Sequence, residues 1–123
     1  MQRRYGLDIN CTHLAEGMVI GHPHNISINS NAIIGKNLTI QNGATIGKDF
    51  RGKRCGTPEI GDNVYIGANA TIVGKVRIGS DVLVAPNTFV NFDVPDHSIV
   101  IGVPGKIIYR DGATEGFILN KRD

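Results

Sequence analysis

Tryptophan is absent from this chain, and cysteine occurs only twice, at Cys11 and Cys55. Two cysteines without a CxxC spacing make no disulfide framework, and they point to a reducing cytoplasm. The lack of Trp beside sixteen glycines is unusual for a compact core. Charge of one sign is also lacking: 13 Lys and Arg against 11 Asp and Glu leave a net +2. That balance gives no electrostatic case for nucleic acid or a membrane surface as partner. No apolar run reaches the 18 or so residues that a membrane span requires, and the N-terminus does not read as a signal peptide. At 123 residues and 13.2 kDa, the expectation is a single domain over 1–123.

Glycine, by contrast, is plentiful, with 16 residues, and it recurs with a period. Counting in steps of six gives Ile28, Ile34, Ile40 and Ile46, then Ile60, Ile66, Ile72, Ile78, Val84 and Val90. Four positions after most of these stands a small or medium residue: Ala32, Leu38, Ala44, Val64, Ala70, Val76, Val82, Thr88. Glycine directly follows the aliphatic at 35, 47, 61, 67 and 79. An amphipathic helix and an alternating strand have other periods, whereas six signals an all-β parallel β-helix. Each hexad makes one short strand and one turn, and three hexads close a triangular coil of about 18 residues, stacked about 4.8 Å from the next. Aliphatics point inward, and glycine or asparagine allows the tight corners, including φ > 0.

The breaks in phase are as informative as the repeat. Leu14, Ile20 and Ile26 run two residues out of step with Ile28, which places a slip just after His22-Pro23-His24. The polar, basic segment 47–59 fits no hexad and reads as a loop thrown out of the prism. After Val90 the stretch Asp93-Val94-Pro95-Asp96-His97 is expected to end the repeats. Ile99 to Tyr109 then reads as a last extended segment, and the tail 110–123 as a short helix or strand. Val73, Leu83 and Phe89 are expected on the flat outer faces, and so thin a prism calls for a homotrimer packed around a threefold axis.

Three local stretches resemble the hexapeptide-repeat acyltransferases, in particular their serine acetyltransferase branch. They are Gly6-Leu7-Asp8-Ile9, Ile20-Gly21-His22, and Asp93-Val94-Pro95 followed by Ile101-Gly102-Val103-Pro104-Gly105-Lys106. The resemblance covers about residues 6 to 109 and implies the left hand for the helix. It does not extend to the helical N-terminal domain of serine acetyltransferases. The chain also departs from that branch in Gly21, where an aspartate precedes the histidine, and in Arg54-Cys55-Gly56-Thr57-Pro58, which lacks the branch's histidine. Short relatives with these features look like O-acetyltransferases of polysaccharide pathways. The resemblance therefore implies an acetyl-CoA-dependent O-acetyltransferase acting on a sugar or polysaccharide precursor, with a glycan or small-molecule acceptor. A serine O-acetyltransferase without the helical domain is the alternative, and a non-catalytic scaffold or binding module the second.

Acetyl transfer from a thioester to a hydroxyl needs a base of near-neutral pKa and donors for the oxyanion. The leaving thiolate is weakly basic, so no metal is required to expel it. By the resemblance His22 is the base, and Asp8, fourteen residues earlier, would lie at the same corner one coil away and orient it. His22 and His24 as an H-x-H metal pair would need a third histidine, and His13 and His97 lie outside the coils that would supply it. His24 is assigned to the acceptor pocket with Arg54, while His13 and His97 read as surface turn residues. The same family position implies Gly47, Ala68, Ala85 and Pro86 along the pantetheine arm of acetyl-CoA, with Lys106 toward its phosphates. The basic loop 51–54 would serve those phosphates, an acidic acceptor, or solvent alone. Cys55, beside Lys53 and Arg54, is not needed for direct transfer.

Overall fold

The computed structural model describes residues 8–9, 13–21 and 25–118. Among them the chain winds as a parallel β-helix of three faces. The first face stacks β1 (Asp8–Ile9), β4 (Ser27–Ile28), β7 (Thr45–Gly47), β10 (Thr71–Val73) and β13 (Phe89–Val90). The second stacks β2 (His13–Leu14), β5 (Ile33–Ile34), β8 (Glu59–Ile60) and β11 (Arg77–Ile78). The third stacks β3 (Val19–Ile20), β6 (Thr39–Ile40), β9 (Val64–Ile66), β12 (Val82–Val84), β14 (Ser98–Ile101) and β15 (Lys106–Tyr109).

Ladder register puts like on like. Ile28 pairs with Ile46, Ile46 with Ile72, and Ile72 with Val90, so each face carries its own inward aliphatic column. All ten hexad aliphatics are buried, and so are the eight residues four positions after them. A core made of Ile, Val, Leu and Ala suits so narrow a prism, because branched side chains fill it in few rotamers.

The regular coil has 18 residues, as from Thr71 to Phe89. The coil from Thr45 to Thr71 takes 26, and the excess leaves as the loop after β7, closed by an antiparallel bridge between Asp49 and Gly56. The first coil is longer than 18: Asp8 pairs with Ser27, and Val19 with Thr39. Its extra length lies between Ile20 and Ile28, where the phase slip was expected.

The upper end differs from expectation. Repeats do not stop at Val90: Val94 is buried and bridges Ile78 in parallel, and β14 then pairs with β12. This last coil is shortened to 16 residues, from Val82 to Ser98, which removed it from the hexad count. Residues 99–109 are not one extended segment but an antiparallel hairpin of β14 and β15, reversed through Gly102 at φ 105° and a cis Val103–Pro104 bond. The described part of the tail, 111–117, forms consecutive turns rather than helix or strand. Leu83 is not an open outer-face residue either; it is buried, and its ladder neighbours are Tyr65 and Ile99.

Glycines after the aliphatics and the left-handed corner residues do two different jobs. The left-handed positions at these corners are Gly17, Asn37, Asn63, Asp81 and His97 where the second face turns into the third, and Asn25, Gly43, Asn69 and Asn87 where the third turns into the first. Gly61 and Gly67 instead allow close stacking: a Cβ on Gly67 would lie 2.6 Å from the Pro86 nitrogen, and one on Gly61 2.8 Å from the Gly79 carbonyl. Backbone contact of that kind excludes any larger residue.

Candidate active site

The corner between the third and first faces gathers most of the expected cofactor positions. Ile20 stacks on Ile40, Ile40 on Ile66, Ile66 on Val84, and Val84 on Val100. The residues leaving those strands therefore form one ascending column: Gly21, Gln41, Gly67 with Ala68, Ala85 with Pro86, and Ile101. Ala68 and Ala85 are half-buried, and Pro86 is exposed. The Ala68 carbonyl accepts the Asn87 N–H at 2.9 Å, and the Ala85 N–H donates to Val100 at 2.9 Å. Lys106 pairs with Ile101, so its exposed side chain belongs to the top of the same column. Four of the five positions assigned to the donor thus share one corner. Gly47 does not; it ends β7 at the far edge of the first face, against Val73.

The histidine assigned as base, His22, lies outside the described residues, as does His24. The chain enters that gap from Gly21, which takes the Ile40 carbonyl through its N–H at 2.9 Å. A Cβ there would meet the end of the Gln41 side chain, which would have to turn aside. The Asp8 backbone is placed: it starts β1 directly below Ser27, on the first face. The first coil is one residue longer there than the regular 18, and Asp8 stacks under Ser27.

Arg54 belongs to a different corner. Its carbonyl accepts the Lys75 N–H at 2.7 Å, and its Nη1 donates to Asp93 Oδ1 at 3.1 Å. That same carboxylate oxygen accepts the Arg77 N–H at 2.9 Å, so the loop is tied to two rungs of the second face. Beside it runs an open groove of about 520 Å³, lined by Ile33, Thr57, Glu59, Lys75 and Arg77 among others. Cys55 is exposed on this loop. Within one chain, the Arg54 groove and the Ala68–Pro86 column stand at opposite edges of the first face.

Sequence reasoning missed one polar cluster. Asp81 Oδ2 faces His97 Nδ1 at 2.7 Å and accepts the Ala113 N–H at 3.0 Å. Its Oδ1 accepts the Thr114 N–H at 2.9 Å and the Thr114 hydroxyl at 2.7 Å. Burial alone would raise the Asp81 pKa, but the hydrogen bonds from Thr114, His97 and Ala113 outweigh it and bring it down to about 2. His97 is pushed up, chiefly by the Asp81 hydrogen bond against a smaller desolvation, with Asp111, Asp81 and Asp96 adding in the same direction. The sequence held a signal for it: an aspartate and a histidine take the corner slot that asparagine fills lower down.

Comparison with known proteins fits this architecture. Residues 57–91 match the family described as bacterial transferase hexapeptide (six repeats). A serine acetyltransferase of Staphylococcus aureus (strain N315) is 38% identical over 111 residues, 89% of this chain and 51% of that protein. Serine acetyltransferase 2 of Arabidopsis thaliana is 37% identical over 107 residues, 85% of this chain and 32% of the relative. The chain spans about half the length, or less, of the curated relatives it matches. Among solved structures, serine acetyltransferase of Neisseria gonorrhoeae in complex with serine superposes with a TM-score of 0.67 at 39% identity, over 73% of this chain and 36% of that one. A serine acetyltransferase in complex with CoA gives 0.68 at 26% identity, over 78% and 40%. The shared fold is the left-handed parallel β-helix, the hand that the resemblance implies. By its hexad coils and these likenesses the chain carries the bacterial transferase hexapeptide repeat and is similar to the serine acetyltransferases.

Proposed function

We propose that the chain transfers an acetyl group from acetyl-CoA to an acceptor hydroxyl, with His22 as general base and Asp8 as its orienting carboxylate. The observation that carries this reading is the corner column of Ala68, Ala85, Pro86 and Lys106, which rises from the segment leading into His22. A flat edge of small residues lets an extended pantetheine arm lie against backbone groups, and the Lys106 ammonium meets the phosphates. Gly47 lies at the other end of the first face, which suits it to a second copy rather than to the same column.

The chemistry needs few groups. The acceptor hydroxyl attacks the thioester carbonyl carbon as His22 takes its proton. Backbone N–H groups stabilise the oxyanion of the tetrahedral intermediate. On collapse the C–S bond breaks, and the imidazolium returns the proton to the departing thiolate. Asp8 favours the imidazolium formed in between.

Because the Arg54 groove and the corner column stand at opposite edges of one face, a site using both draws on two copies of the chain. A homotrimer supplies that arrangement three times. Arg54 and His24 then face the acceptor. The serine acetyltransferase relatives make the hydroxyl of a serine-like amino acid the first acceptor, ahead of the sugar expected from the sequence. A sugar hydroxyl is the second reading, favoured by Gly21 before His22 and by the absence of histidine from 54–58.

Thiol release from acetyl-CoA, followed with L-serine and with sugar nucleotides in parallel, tests the proposal. Faster release with L-serine is the expected result. Turnover with the sugar alone selects the second reading. No acceptor-dependent release with either leaves a non-catalytic scaffold.

A further inference from the structure

One corner of the prism changes chemistry as it rises. Asn37, Asn63, Asp81 and His97 occupy the same slot in successive coils, all with left-handed φ between 55° and 64°. In the lower pair Asn37 Nδ2 donates to Asn63 Oδ1 at 2.9 Å. In the upper pair the amides give way to the Asp81 carboxylate and the His97 imidazole, 2.7 Å apart. The geometry of the slot requires neither; asparagine serves it below.

That upper pair is where the C-terminal segment lands. Asp81 takes the two N–H groups and the hydroxyl of Ala113 and Thr114, both of which are buried. Three residues on, Phe117 sets its ring edge-to-face on Tyr65, with centroids 5.1 Å apart, over the third face where Leu83 is buried. Local turns hold the segment together, Glu115 N–H to Gly112 and Phe117 N–H to Thr114. A cavity of about 560 Å³ opens beside it, walled by Asn63, Asp81, His97, Asp111 and Glu115, so water and protons reach the ring.

From this arrangement we infer that Asp81 and His97 form a proton-linked latch, which fastens residues 111–117 over Tyr65 and Leu83 and loosens as the imidazole loses its proton. The groups facing His97 come from every neighbouring element. Asp81 lies 2.7 Å away on the coil below, Asp96 precedes it, and Asp111 of the tail stands 3.4 Å from the same Nδ1. Tyr109 of β15 approaches the ring at 6.4 Å, Glu115 lies across the cavity, and Arg110 donates its backbone N–H to the His97 carbonyl. The Asp81 hydrogen bond raises the ring's pKa most, against desolvation, and the charges acting on it, from Asp111, Asp81 and Asp96, are all negative and add to the rise. With the proton, Nδ1 satisfies two carboxylates as an ion pair. Without it, one neutral N–H remains for Asp81, and Asp111 faces the tail's anchor as an uncompensated negative charge.

The chain has no Trp, so Phe117→Trp places a single tryptophan on the latch, excited apart from the three tyrosines. Its emission is expected to shift to the red as pH rises from about 5.5 to about 9, following His97 deprotonation. His97→Asn keeps a residue that tolerates left-handed φ, and in that background the step should vanish. In the unsubstituted chain, hydrogen-exchange protection of the Ala113 and Thr114 amides, corrected for intrinsic base catalysis, should fall several-fold over the same range. Emission and protection that stay flat with pH, or a step that survives in His97→Asn, would overturn the latch.

Discussion

Asn63 receives the side-chain N–H of Asn37 at 2.9 Å, and both residues hold left-handed backbone one coil apart. The bond joins two corners that the strand ladders do not reach. Two contributions are separable here. Asn63→Gly keeps the backbone conformation and loses the bond, at a cost of about 1 kcal/mol. Asn63→Ala loses the bond and also the local side-chain hydrogen bonding that lets asparagine tolerate the left-handed region, a further cost of about 1 kcal/mol. Chemical denaturation midpoints should rank wild type, then glycine, then alanine. Equal losses for the two variants would mean that the corner conformation carries no cost.

Gly67 tests the stacking of the corner column in the same way. A Cβ on it would press within 2.6 Å of the Pro86 nitrogen and 3.0 Å of the Ala85 carbonyl carbon. Gly67→Ala should therefore lower stability by about 1–3 kcal/mol, through displacement of backbone rather than of a side chain. If Ala85 and Pro86 line the donor, the same variant raises the KM for acetyl-CoA more than that for the acceptor. A thermal midpoint equal to wild type would show that the rungs are spaced more loosely than described.

Much of this architecture is legible in the sequence because a period of six is local information. Each of the ten aliphatics from Ile28 to Val90 occupies the interior, and the eight-residue excess between Ile46 and Ile60 emerges as the loop. The upper end is not legible for a physical reason. Val94 enters the core after a shortened coil, so hexad counting loses it, although its register with Ile78 is regular. The reversal at Val103–Pro104 depends on β15 finding β14, and the tail depends on one carboxylate 32 residues away, Asp81 to Ala113. Neither is encoded in any short window. The corner glycines also merge two requirements, positive φ and close approach, which only coil stacking tells apart at Gly43 and Gly67. Of the site, Ala68, Ala85 and Pro86 come from the resemblance, and the stacked hexads set them at one corner, whereas Lys106 joins them only through the β14–β15 hairpin. The longer first coil that sets Asp8 under Ser27 does not follow from the repeat.

Stability should depend on pH through the pair at the top of the second corner. Asp81 falls from 3.8 to about 2 on folding, so its contribution is complete above pH 3.8 and is lost as pH falls toward about 2. His97 is raised above 6.5, so its contribution is complete below pH 6.5 and is lost as pH rises through the higher folded value. A plateau between pH 3.8 and 6.5 is expected in the thermal midpoint, with a decline on each side. Asp81→Asn should flatten the alkaline decline and lower the plateau. A midpoint that rises from pH 6.5 to 8.5, or an Asp81→Asn profile identical to wild type, would contradict the coupling.

The measurement that bears most directly on the account is turnover of acetyl-CoA with acceptor by His22→Ala, taken beside its circular dichroism and sedimentation. A general base at this position predicts a loss of about 10²–10⁴ in kcat, with the β-helix and its assembly intact. Turnover within a few-fold of wild type would contradict it.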